Sequence, residues 1–290
     1  PGALNPLFEV DATTRDIDSV IYQGLTTIDP QQNVIGLLAS TWTVSPNHLS
    51  YTFTIRSGIK WADGQPFTAD DVLFTFHVLQ DQEYQQPGAD SWRQVGVSAA
   101  GPGRVIFTLK APSASFPLAL RIGIIAKHLF AGMSPPQIAA SAYSGVQAMG
   151  TGAFKVTAIS PLAVTLSRNV YADPQPYLDH LIFRTYSTNP ATDSQAAING
   201  VVHGAADLVG GLEPQEVGTL QRRGDIAVQD VRTFTDAFVS MNAEGPGKPF
   251  FVDVKVRLAL TQAIDRQRII NEGILGKGDP DPGPVPVADW

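Results

Sequence analysis

YTFTIRSGIKWADGQPFTADDVLFTF, residues 51–76, reads as a strand, a turn and a capped helix in one run. Tyr51, Phe53 and Ile55 alternate with Thr52, Thr54 and Arg56, the period of two of a strand with one buried face. Asp63-Gly64 is turn chemistry, because Gly takes positive φ freely and Asp bonds its own backbone. Thr68 stands where a helix N-cap belongs, and Asp71 follows at the capping-box spacing. Asp is shorter than the usual Glu at that position, so its main expected help is with the helix dipole. Val72, Leu73, Phe76 and Leu79 then give the helix an apolar stripe.

The same patterns extend outward in both directions. A helix or helical turn is expected through 18–24, short strands through 34–56, and a strand at 104–110 (RVIFTLK) after Gly101-Pro102-Gly103. A short helix is expected at 116–120, whereas 131–149 is rich in Ala, Ser and Gly and says little. Gly150-Thr151-Gly152 punctuates the chain before strands at 153–159, 162–168 and 180–186. Helices are expected at 191–200 and 213–222, and a strand at 238–242. Asp253 caps a helix with Val256, Leu260, Ala263 and Ile264 as its apolar side; Asp265 caps another with Ile269 and Ile270 inward. Strands and helices without a strict alternating rhythm imply an α/β or α+β architecture with interrupted domains.

A chain of 290 residues can hold a large core and more than one domain. Its formal charge of -7 and pI near 5.1 argue against a nucleic-acid surface. It has 0 cysteines, which removes thiol catalysis, disulfides and thiolate-held metals. No apolar run reaches the length of a membrane span. The chain opens at Pro1 without an initiator Met, so a processed or trimmed product is expected.

Catalytic patterns are missing from the sequence. His48, His77, His128, His180 and His203 include no pair at the i, i+4 spacing of a helical zinc site, and they read as surface or capping residues. Neither GxSxG, a phosphate-binding GxxxxGK[ST], nor a GxGxxG between strand and helix occurs. Asp70-Asp71 sits in a first helical turn, where carboxylates favour the dipole, rather than across a cleft as a glycosidase pair would. Trp42 and Trp61 lie beside strand patterns and read as core. Trp92 follows a polar loop and could wall a ligand cleft or simply pack. Arg121 lies between apolar segments and, if partly buried, wants a carboxylate from the protein or from a ligand.

Several blocks in consistent order carry a resemblance. They are LNP at 4–6, VIYQGLTTID at 20–29, LLASTWTVSPNHLSYTFTIRSGIKWADGQPFTADDVLFTF at 37–76, GTGAFKV at 150–156, SRNVYADPQPYLDHLIFRTY at 167–186 and DVKVRLALTQAIDRQRII at 253–270. Together they resemble the family 5 extracellular solute-binding proteins of ABC importers, which bind dipeptides, oligopeptides or nickel. The resemblance implies an α/β protein of the periplasmic-binding-protein type II class, two lobes closing on a ligand by hinge bending. It places lobe one at 1–21 and 150–241, an inserted subdomain at 22–149, and the start of lobe two at 242–290. Most of the second lobe would then be missing beyond Trp290, and the apolar helix faces of 253–270 would be buried against another chain.

Family members contact ligand with backbone just after the opening LNP, which maps to Phe8, Glu9, Val10 and Asp11. Trp92 falls near a subdomain position where some members turn an aromatic toward the ligand. For Thr151 and Gly152, turn geometry is the better reading. The implied function is capture of a peptide-like solute outside the cytoplasmic membrane and delivery to the transmembrane subunits of an ABC permease, with no bond made or broken. Glu9 or Asp11 would meet a ligand ammonium, and Arg121 a carboxylate. The implied location is periplasmic or extracellular, with a lipid anchor conceivable. The full-length protein would be a monomer without cofactor, metal or nucleic-acid partner. The rivals are the same fold binding an oligosaccharide, opine or metal chelate, a sensory receptor, and, remotely, a carboxylate-dependent hydrolase.

Overall fold

Asp11 accepts the amide of Thr14 at 2.7 Å and so caps the first helix, α1 (Ala12–Ile21). The helix starts earlier than the apolar residues alone suggest and stops where Tyr22 turns extended. The computed structural model describes residues 2–9, 11–101, 103–186, 190–229, 241, 242, 244 and 248–280. They divide into two compact units, Pro1–Thr185 and Tyr186–Trp290.

In the first unit α1 leads to the hairpin of β1 (Thr26–Ile28) and β2 (Val34–Gly36), then to β3 (Ala39–Val44) and β4 (Ser50–Ile55). Next come α2 (Ala69–Gln80), α3 (Ala89–Trp92), β5 (Gly96–Ala99) and β6 (Arg104–Thr108). β3 to β6 form one antiparallel sheet in the order β3-β4-β6-β5. The alternation in residues 51–55 holds: Tyr51, Phe53 and Ile55 are buried, and Thr54 is exposed. On the buried face Phe53 and Phe76 each meet Phe107 edge to face, at 5.8 and 4.8 Å between ring centroids. Val72, Phe76 and Leu79 of α2 are fully buried against this sheet. Trp61 is also fully buried, while Trp42 is partly exposed and stacks on Phe53.

Asp71 does more than favour a dipole. Its carboxylate accepts the Thr68 amide at 2.8 Å and, with the other oxygen, the Lys127 amide at 2.9 Å. The shorter side chain suffices because the cap folds onto it, and one buried carboxylate joins the start of α2 to the backbone at Lys127.

The chain continues through short helices α4 (Phe116–Ala119), α5 (Lys127–Phe130) and α6 (Pro135–Ala139) and a 3-10 turn at Ala142–Ser144. It then forms the antiparallel sheet β7 (Phe154–Ser160), β8 (Ala163–Arg168) and β9 (His180–Arg184). Between the two sheets Gly150-Thr151-Gly152 presses on the end of α1. A Cβ at Gly150 or Gly152 would lie 2.1 or 2.6 Å from the Ile21 carbonyl oxygen, and the Gly152 amide donates to that oxygen at 2.8 Å. Only glycine permits this approach.

The second unit contains α7 (Pro190–Val202), α8 (Pro214–Leu220), α9 (Lys248–Phe251), α10 (Val254–Ala263) and α11 (Arg266–Gly273). Asp253 and Asp265 cap α10 and α11 as their positions imply. The expected inward face is not formed on α10 and is formed only in part on α11. α10 buries no residue, and in α11 Ile270 is buried while Ile269 is 59% exposed. Residues 238–240 of the expected strand lie outside the described residues, and 241 and 242 are not in a strand.

Candidate functional site

The opening loop, residues 4–9, is pinned from three directions. Asn5 is fully buried; its side-chain amide donates to the Ser144 hydroxyl at 2.9 Å, and its oxygen accepts the Leu7 amide at 3.1 Å. Tyr22, just after α1, donates its hydroxyl to the Leu4 carbonyl at 3.1 Å. Tyr84, between α2 and α3, donates to the Leu7 carbonyl at 2.7 Å and meets the ring of Phe8 edge-on at 5.7 Å. These bonds satisfy buried backbone that an irregular loop otherwise leaves unpaired. Burial pushes the Tyr84 hydroxyl up to about 12, and the charge of Glu9 adds to that.

Phe8 is thus core rather than surface, at 7% exposure. Glu9 emerges beside it, half-buried, with one ion pair to Arg15 Nε at 3.2 Å. Burial raises its carboxyl above the usual range, and Arg15 opposes the shift. Val10 lies outside the described residues. Asp11 is exposed and held below the usual range chiefly by the Thr14 amide.

A cavity of about 280 Å³ opens beside Asp11, between the first turns of α1 and the β8–β9 pair. Asp11, Thr13 and Arg184 supply its polar groups, and Ile17, Val164 and Phe183 its apolar wall. An acid, a base and an aromatic around a small concavity suit a zwitterionic or peptide-like group. The arrangement offers binding groups without an activated nucleophile. Among the described residues no cluster of three or more His, Cys, Asp or Glu could hold a metal ion.

The other two expected residues lie apart from the loop. Trp92 packs edge-on against Phe76 at 5.1 Å, as part of the first sheet's aromatic core. Arg121 is exposed, so the expectation of a partly buried cation needing an internal carboxylate does not hold. Its backbone abuts Gly24, and two residues on Gly123 packs against Pro6 and Tyr22.

No motif in the sequence singles out Asp18. It is 1% exposed, and neither carboxyl oxygen has a hydrogen-bond partner. Burial pushes it up to about 8, Glu9 and Asp11 add to the rise, and the nearby Asn5 amide opposes it without forming a normal hydrogen bond. The sequence carries a signal: Asp18 shares the inward face of α1 with Thr14, Ile17 and Ile21, each within about one turn of it.

The family model described as bacterial extracellular solute-binding proteins, family 5 Middle, matches residues 33–290. The oligopeptide-binding protein AppA of Bacillus subtilis is 27% identical over 284 residues, covering 96% of this chain and 51% of the relative. The glutathione-binding protein GsiB of Salmonella typhi is 26% identical over 288 residues, covering 98% of this chain and 54% of the relative. The solved structure of B. subtilis AppA with a nonapeptide superposes with a TM-score of 0.84 at 26% identity, covering 100% of this chain and 57% of that one. The chain therefore spans about half the length of the curated relatives it matches.

Proposed function

The chain belongs to the family 5 bacterial extracellular solute-binding proteins, and from that membership we propose that it captures a peptide-like solute outside the cytoplasmic membrane for an ABC permease. The observation that carries this reading is the likeness of the whole chain to the nonapeptide-bound B. subtilis protein. Such a protein works by binding and release and makes or breaks no bond. The lobe boundaries follow the resemblance: lobe one at 1–21 and 150–241, an inserted subdomain at 22–149, lobe two from 242. The permease is the partner; no helix among the described residues is long and apolar enough to cross a membrane.

Within this reading Glu9 and Asp11 face the solute, with Phe8 packed behind them. Glu9 is the strongest candidate contact: it is half-buried, and its one salt bridge is to an Arg15 side chain 67% exposed. A ligand ammonium can compete for that carboxylate at small cost, because exposed single-contact pairs are worth about 0–1 kcal/mol. Asp11 and Arg184 place opposite charges at the adjacent cavity, matching the two ends of a short peptide. Trp92 and Arg121 are secondary candidates.

Calorimetric titration of the complete transport protein with short peptides tests the reading. Saturable binding that survives Glu9→Gln supports capture and removes Glu9 from the contact set. Binding that weakens about tenfold supports both. No binding to any peptide, with binding to a sugar or a metal chelate instead, overturns the peptide assignment.

A further inference from the structure

A carboxyl with no partner is an unusual thing to bury, and Asp18 is buried with its carboxyl near the Asn5 amide of the opening loop. The groups around it decide what it does. From the loop comes Glu9, and from the start of α1 comes Asp11, both carboxylates whose charge disfavours another. Just beyond the end of α1 stands Tyr22, itself pushed well above its ordinary range by burial and by Asp18. Of the cations near α1, Arg15 is engaged with Glu9, and Arg184 stands across the cavity by Asp11, Thr13 and Ile17. Tyr84, from the α2–α3 connection, reaches the Leu7 carbonyl and is sensitive to Glu9. The Asn5 amide is the one donor turned toward the Asp18 carboxyl.

We propose that Asp18 is a proton-operated latch: with a proton on its carboxyl the 4–9 loop is seated on α1, and loss of that proton releases the loop. The neutral acid can lie on the buried face of α1 with Ile17 and Ile21 without charge to solvate. The carboxylate must instead face two like charges with a single misaligned N–H to offset them. The loop, which has no helical or strand ladder of its own, is the element that yields, because lifting it both hydrates Asp18 and moves Glu9 away. The latch follows from the packing of α1 and the loop alone and holds whatever the solute is.

Linkage sets the expected readout. Opening that exposes Asp18 lets it lose its proton near the ordinary carboxylate range, so the opening equilibrium grows about tenfold per pH unit and levels off once the closed form also ionises. Amide hydrogen exchange of the full 290-residue chain, followed across residues 4–9 from pH 5 to 9 and corrected for intrinsic exchange, measures this. Wild type is expected to lose protection about tenfold per pH unit to about pH 8 and then level. Asp18→Asn is expected to show a flat profile, and Glu9→Gln to level off at lower pH. A flat wild-type profile, or the same slope in Asp18→Asn, overturns the latch. Should Asp18→Asn not fold, carbon-13 NMR of the wild-type aspartate carboxyls, assigned through the backbone, decides together with the wild-type exchange profile: an Asp18 carboxyl still protonated at pH 6 alongside a sloped profile at 4–9 supports the latch, and ordinary titration of Asp18 overturns it.

Discussion

Replacing Asp71 separates two accounts of what a buried acid does at a helix start. The side chain is 4% exposed, and its two oxygens take the Thr68 amide at 2.8 Å and the Lys127 amide at 2.9 Å. Asp71→Ala leaves both amides, each in a part-buried hydrogen bond, without their acceptor. Each orphaned donor costs about 1–3 kcal/mol, toward the lower end where water has partial access, so the substitution should destabilise the first unit by roughly 2–4 kcal/mol. At about 2–4 °C per kcal/mol for a body of this size, the melting temperature should fall by roughly 10 °C. Asp71→Asn keeps one acceptor oxygen of the same shape and turns an NH2 toward the other amide, so it should cost about half as much. A pure dipole role predicts something else. It is worth about 0.3–1 kcal/mol, fades with salt, and makes the Asn and Ala variants equal because both lose the charge. Urea unfolding at low and high salt distinguishes the two. A loss under about 1 kcal/mol for Asp71→Ala, or equal losses for both variants that shrink in salt, would refute the cross-linking account.

Three further substitutions probe the rest. Asp18 has its folded-state value raised to about 8 from 3.8, so its contribution to stability is fullest below pH 4, falls by about 1.4 kcal/mol per pH unit as pH rises toward 8, and is flat beyond. Asp18→Asn should therefore be more stable than wild type at pH 7, by up to about 4 kcal/mol, and equal to it near pH 4; a difference independent of pH would contradict this. Gly152→Ala drives a methyl to 2.6 Å from the Ile21 carbonyl, backbone against backbone, and should cost about 2–3 kcal/mol in urea unfolding; a neutral result would mean that the α1 end moves freely. Tyr84→Phe removes the 2.7 Å bond to the Leu7 carbonyl and should cost about 1 kcal/mol while raising hydrogen exchange at 7–9 more than elsewhere; uniform exchange would show that Tyr84 does not hold the loop.

What the sequence disclosed is what local period and turn chemistry control. The alternation at 51–55, the positive-φ glycine of Asp63-Gly64 at 89°, the α2 stripe and the caps at Asp253 and Asp265 all depend on neighbours a few residues away. The family order of blocks then supplied the architecture. The site was less legible because its holders are distant in sequence: Ser144 on Asn5 and Tyr84 on Leu7 join positions 139 and 77 residues apart. Asp71 was undervalued for the same reason, since its second partner, Lys127, is 56 residues away. Asp18 was legible as a charge on an apolar helix face, but what surrounds it comes from a loop whose path only folding reveals. The expected inward stripe on α10 failed on a different ground: an amphipathic pattern states what a helix would bury, not that the described residues provide the surface to bury it on.

The central claim is that this family member carries a peptide. Native mass spectrometry of the complete protein, isolated from its own cells and sprayed without denaturation, tests it most directly. The account predicts a population heavier by a short peptide, which tandem fragmentation of the released compound sequences from its terminal amine. Release of a sugar, an opine or a metal chelate in place of peptide would contradict it.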